Sequence, residues 1–113
     1  LSFTPLTIAQ RIGEGKVVFV NVTADWCITC KANEVAVLRR KNVVALLSDS
    51  SLTAMRADWT RPDPGIAKYL ASFSRYGIPF DVVYGPGAPQ GIVLPEILTE
   101  GDISAAVAKA RGE

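Results

Sequence analysis

The chain has 113 residues, 49% of them hydrophobic, with a formal net charge of +1. That length suits one domain with a real core, and the apolar fraction argues against disorder. The near-neutral balance excludes the strong field of a nucleic-acid or lipid-surface binder, and no apolar run approaches the roughly 18 residues of a membrane span.

The chain opens at Leu1-Ser2-Phe3 without an initiator Met or a signal peptide, as an excised domain or a mature fragment would. Thr4 and Pro5 read as the cap and first position of a helix, with Leu6, Ala9 and Ile12 following at helical spacing and Gly13 and Gly15 ending it. Lys16 to Thr23 is apolar on both faces, the pattern of a central strand covered by helices. Asn21 interrupts that run, and strand alternation puts it on the face of Phe19 and Thr23, beneath the cysteines that follow.

Those cysteines, Cys27 and Cys30, are the only two in the chain and sit where strand should give way to helix. A Cys-x-x-Cys pair at such a junction predicts thiol-disulfide redox chemistry. A thiol at a helix start meets unpaired backbone N–H groups and the positive end of the helix dipole, both favouring thiolate. Thiolate is the attacking species in disulfide exchange, and a second thiol one turn on can resolve the mixed disulfide. A zinc or iron–sulfur site needs about four Cys or His ligands. With two Cys and no His, metal would require a second chain. A purely structural disulfide across so short a loop would contribute only roughly 2 kcal/mol.

Helical pattern continues to about Arg40, with Val35 and Leu38 expected toward the core and Lys31, Arg39, Arg40 and Lys41 toward solvent. Glu34 falls one turn below Cys30, where it serves either as a surface partner of Lys31 or as a proton-handling group. Asn42 to Leu47 reads as a second short helix or a kinked continuation. Leu52 to Trp59 reads as a strand, and Asp63-Pro64 caps a helix with Ile66, Leu70 and Phe73 on one face, ended by Gly77. Ile78-Pro79 precedes a strand from Phe80 to Tyr84. The Gly85–Gly91 loop and Ile92-Val93-Leu94 suggest a hairpin, and Thr99 with Asp102 caps a last helix carrying Ile103, Ala106, Val107 and Ala110. The order α-β-α-β-α-β-β-α predicts one α/β domain over residues 1–113, with a mixed central sheet of about four strands and helices on both faces.

Taken together, Trp26-Cys27-x-x-Cys30 between strand and helix and an Ile-Pro opening a later strand resemble the thioredoxin fold. Four blocks narrow the likeness: Ala24-Asp25-Trp26-Cys27-x-x-Cys30-Lys31, Ala57-Asp58-Trp59-Thr60, Gly77-Ile78-Pro79 with Val82-Val83-Tyr84, and Leu94-Pro95-Glu96-Ile97-Leu98-Thr99. In that order they resemble the C-terminal thioredoxin-like domain of DsbD-type transmembrane thiol-disulfide reductases. Ile28-Thr29 and the Gly85–Gly91 loop look closest to the ScsB branch, which is associated with copper tolerance. The resemblance implies a periplasmic domain of an inner-membrane protein. It would take two electrons from a membrane-embedded domain of the same polypeptide. It would pass them to an N-terminal periplasmic domain or to soluble thioredoxin-like partners.

By the same resemblance Cys27 is the exposed nucleophile and Cys30 the resolving thiol. Pro79 is a cis-proline against the active site, and Trp26 and the Ile78 backbone meet the substrate segment. Asp25 belongs to the supporting shell. The expected redox group is the Cys27–Cys30 disulfide itself, with no bound cofactor or metal. Many thioredoxin-like reductases carry a buried Asp at the position of Asn21, so the pair is expected to lack a buried carboxylate, leaving proton handling to Glu34, to water or to nothing dedicated. A soluble general thioredoxin-like reductase and a redox-inert module holding a partner or Cu(I) are the rival readings.

Overall fold

A computed structural model describes residues 3–113; the opening Leu1 and Ser2 of the sequence reading lie outside the described residues. Nine main elements follow in order: α1 (Pro5–Gly13), β1 (Val17–Thr23), α2 (Ile28–Asn33), α3 (Lys41–Leu47), β2 (Leu52–Asp58), α4 (Pro64–Ala71), β3 (Phe80–Gly85), β4 (Ala88–Val93) and α5 (Glu100–Ala110). Between α2 and α3 the helix continues through one π-helical turn, Glu34–Leu38. No helix among the described residues is long and apolar enough to cross a membrane.

The strands form a single mixed sheet in the order β2-β1-β3-β4, with β1 parallel to β2 and antiparallel to β3. The apolar run Val17–Val20 therefore occupies an interior strand and is buried on both faces, as its composition demands. On one face Val17, Phe19 and Val83 pack beneath Val37, Val43, Ile103 and Val107 from the π turn, α3 and α5. On the other, Val18, Val20, Val22, Met55 and Val82 pack against Ile8, Ile66 and Leu70 from α1 and α4.

Four local expectations shift. In α1 it is Ile8 that is buried, whereas Leu6 is exposed, because the sheet meets the face of Ile8 and Ile12 rather than that of Leu6 and Ala9. After Cys30, Val37 is buried and Val35 exposed; a π turn adds a residue to the turn and rotates everything beyond it relative to an α-helical wheel. α4 ends at Ala71 rather than near Gly77, with Ser72 Oγ donating to the Tyr69 carbonyl and Ser74 adopting a positive φ of 59°. The hairpin is tighter than its glycines suggest: β4 begins at Ala88 after a turn at Pro86-Gly87. Gly85 and Gly87 lie so close to the end of α5 that a Cβ on either would strike backbone there.

Two caps form as their residues dictate. Asp63 Oδ1 accepts from the N–H groups of Gly65 and Ile66, and Thr99 Oγ1 accepts from Asp102 N. Thr4 occupies the cap of α1 without a side-chain bond.

Candidate functional site

Cys27 and Cys30 are joined by a disulfide at the carboxyl end of β1, their Cα atoms 5.2 Å apart. Cys27 is the N-cap of α2, and its sulfur accepts the backbone N–H of Cys30 at 3.1 Å. The sulfur thus takes the place of the usual Ser or Asp oxygen, facing the donors that would stabilise a thiolate in the reduced protein. Both cysteines are buried, Cys27 at 5% and Cys30 at 4% exposure, so the exposed nucleophile expected at position 27 is not seen in this disulfide state. What separates the two is place along the helix: Cys27 caps it, while Cys30 lies within the first turn.

The loop before the pair is held from the end of β2. Asp25 N donates to Thr60 Oγ1, Trp26 Nε1 donates to the Trp59 carbonyl, and Trp59 N donates to the Thr23 carbonyl. Thr60 in turn donates from its hydroxyl and its N–H to Asp58 Oδ1, bonds that hold this exposed carboxylate below its usual range. The Ala57-Asp58-Trp59-Thr60 block therefore splints the approach to Cys27. The Trp26 ring leans on Trp59, centroids 6.4 Å apart, yet remains 57% exposed beside the disulfide.

On the opposite side, the Ile78–Pro79 peptide bond is cis, and Ile78 packs against the cluster of Ala24, Cys27 and Cys30. Pro79 is buried, and Tyr76 just before it is 80% exposed. Trp26, the cysteines, Ile78 and Pro79 are thus brought together at one end of the sheet.

Glu34 is not part of that group. Its carboxylate faces Arg39 at 3.4 Å, at the surface, so its partner is neither Lys31 nor the cysteines. Asn21 donates from Nδ2 to Asp81 Oδ1 at 2.6 Å, across the β1–β3 register in which the two residues are opposite. This overturns the expected absence of a buried carboxylate. Asp81 is 1% exposed, and burial pushes its pKa up to about 7 against the opposing pull of the Asn21 amide. Its Oδ2 has no hydrogen-bond partner among the described residues. The acid stands on the strand beside Asn21 rather than at Asn21. The polar residue inside the apolar run Phe80–Tyr84 was the available signal.

Asn33 was also missed. Buried in α2, it donates from Nδ2 to the Glu96 carbonyl at 2.7 Å and accepts from Leu98 N at 3.0 Å, tying the helix that begins at the cysteine pair to the Leu94–Thr99 loop. Removing both bonds leaves the Leu98 N–H and the Glu96 carbonyl without a partner, so Asn33→Ala should cost about 2–3 kcal/mol. Urea unfolding of the oxidised protein checks this; a loss below about 0.5 kcal/mol would mean that the clamp carries no weight.

A model of the thioredoxin-like family matches residues 7–86. The chain is 33% identical over 99 residues to the thiol:disulfide interchange protein DsbD 1 of Pseudomonas aeruginosa, an alignment covering 88% of this chain and 16% of that protein. It therefore spans about one sixth of that relative's length. Among solved structures it is similar to the reduced C-terminal domain of Neisseria meningitidis DsbD, with a TM-score of 0.69 at 19% identity, covering 93% of this chain and 91% of that one. The oxidised form of the same domain gives a TM-score of 0.66 at 20% identity over 87% of this chain and 84% of that one. A thioredoxin from Thermus thermophilus gives 0.70 at 17% identity over 96% and 83% respectively. The structural likenesses carry the fold, and the sequence match bears out the resemblance to a DsbD-type domain.

Proposed function

Because the chain belongs to the thioredoxin-like family, we propose that it works as the C-terminal periplasmic domain of a DsbD-type membrane reductase, relaying two electrons through Cys27 and Cys30. A membrane-embedded domain of the same polypeptide reduces the disulfide. The dithiol then reduces an N-terminal periplasmic domain or a soluble thioredoxin-like partner, and no bound cofactor is needed. The observation that carries this reading is the disulfide at the start of α2, its Cys27 sulfur capped by Cys30 N–H and the pair packed against Ile78 before a cis proline.

In this scheme Cys27 attacks and Cys30 resolves, while Trp26 and the Ile78 backbone border the substrate segment. The finer assignment to the ScsB branch rests on Ile28-Thr29 and the Gly85–Gly91 loop, and would connect the domain to copper tolerance.

Electrons flow outward, from membrane partner to periplasmic disulfide. The dipeptide Ile28-Thr29 supplies no cation between the cysteines to stabilise the thiolate, which is the means by which a strongly oxidising pair is made. Equilibrating the domain with glutathione or dithiothreitol and counting free thiols should give a potential on the order of −270 mV. A value of about −150 mV or higher would reverse the direction of flow. Failure to find any reversible two-electron couple would remove the oxidoreductase reading altogether.

A further inference from the structure

We propose that Asp81 takes up and returns the proton of Cys30 as the cysteine pair closes and opens, an assignment that rests on the dithiol reading. Three observations converge on this side chain. It is buried with no ion pair: Oδ1 is held by Asn21 Nδ2, and Oδ2 is left with no hydrogen-bond partner among the described residues. A carboxyl so placed costs stability that an apolar residue would not, so packing gives no reason for it. Its position is next to the last pair of the β1–β3 ladder, at the end of the sheet where β1 leads into Cys27. Strand alternation puts it with Val83 and Phe19, on the face covered by the helical segment that runs on from Cys30. Ile78, three residues earlier, already touches the cysteine cluster.

The chemistry needs such a group. In a mixed disulfide Cys27 is bonded to the partner's sulfur and Cys30 is a thiol, at a position that is 4% exposed in the disulfide form. Cys30 gives its proton to the Asp81 carboxylate, and its sulfur lone pair forms the bond to Cys27 Sγ. The electron pair of the Cys27–partner bond leaves on the partner sulfur, which takes a proton from solvent. The domain is oxidised by two electrons and the partner reduced by the same two. When the pair is reduced again, Asp81 returns the proton to Cys30.

Among the described residues Asp81 is the one buried carboxyl. Arg56, across the β1–β2 register from Asn21, is exposed; Lys31, Lys41 and Glu96 are exposed; Glu34 is taken by Arg39. On α5, Glu100 and Lys109 are exposed and Asp102 is at the first turn, while β4 carries no ionisable residue. Burial raises the Asp81 pKa toward neutrality, where a carboxyl can both accept and release a proton.

The two steps can be read separately with 5,5′-dithiobis(2-nitrobenzoate). Attack by Cys27 on the reagent releases one thionitrobenzoate, and resolution by Cys30 releases the second, which needs no proton to leave. In Asp81→Asn the first step should be unchanged and the second slowed about a hundredfold at pH 7. That deficit should shrink as pH rises and the Cys30 thiol ionises unaided. The swap Asn21→Asp with Asp81→Asn should recover most of the second step, because the carboxyl stays in the pair. A second step equal to the native rate at every pH would overturn the proposal, and so would a deficit that the swap does not recover. Should Asp81→Asn fail to fold, infrared titration of the unsubstituted protein decides: a carboxyl band titrating near neutrality is expected, and ionisation of every carboxyl near pH 4 would overturn it. Absence of any second step in the native protein would instead sink the dithiol reading itself.

Discussion

Cys27→Ser is expected to reduce disulfide exchange to the uncatalysed background, while Cys30→Ser is expected to trap the partner on Cys27 as a stable mixed disulfide. The asymmetry follows from the two places in α2. The Cys27 sulfur is the cap and faces the free N–H groups of the first turn, with the Cys30 N–H already 3.1 Å away. Those donors and the helix dipole favour its ionised form over that of Cys30, whose own N–H is one of the donors. Cys30 can reach only a sulfur next to it, which is the condition for resolution. On the proposed reading the partner approaches between Trp26 and Ile78, and Trp26 offers an exposed ring next to Cys27 in the chain. Iodoacetamide on the reduced protein, followed by peptide mapping, reads the same difference without a partner. Cys27 should be modified first at neutral pH; preferential modification of Cys30, or trapping by Cys27→Ser, would invert the roles.

Most of the architecture was legible because its signals are local. Val17–Val20 is apolar on both faces and became an interior strand; Asp63-Pro64 and Thr99 announced helix starts and formed the bonds expected of them. The site was legible where its residues are contiguous, as at Trp26-Cys27-x-x-Cys30 and Ile78-Pro79. What escaped depends on register across strands or on a change of helical pitch. The π turn at Glu34–Leu38 has no Pro or Gly to mark it, so Val35 was expected in the core and is exposed, while Val37 is buried. Asn21 and Asp81 are 60 residues apart, and only the β1–β3 register makes them partners. The Asn33 clamp spans 63 residues to Glu96 and is equally invisible to spacing rules.

The oxidised protein should lose stability as pH rises from about 4 to about 7, and Asp81→Asn should abolish most of that slope. An Asp side chain in the unfolded chain titrates near 3.8, whereas burial holds Asp81 protonated to about 7 in the folded one. Between those values the folded state binds a proton that the unfolded state has released, so raising the pH favours unfolding. The contribution is fully present below about pH 4 and gone above about pH 7. At about 1.4 kcal/mol per pKa unit, the ceiling is roughly 4 kcal/mol, a large share of the stability of a domain this size. Asn at this position keeps an oxygen for Asn21 Nδ2 and puts a donor where the protonated acid has its O–H. The variant should therefore match the native protein near pH 4 and exceed it by a few kcal/mol at pH 8. Asp49 and Asp58 work in the opposite sense: hydrogen bonds from Ser51 and Thr60 lower their pKa values, so what they contribute is lost as pH falls below about 4. Both are common to the two proteins and cancel in the difference. Urea midpoints at pH 4, 6 and 8, with the disulfide kept intact, provide the measurement. Parallel profiles for the native protein and the variant would mean that Asp81 is ionised throughout and that its burial is compensated by something other than its proton.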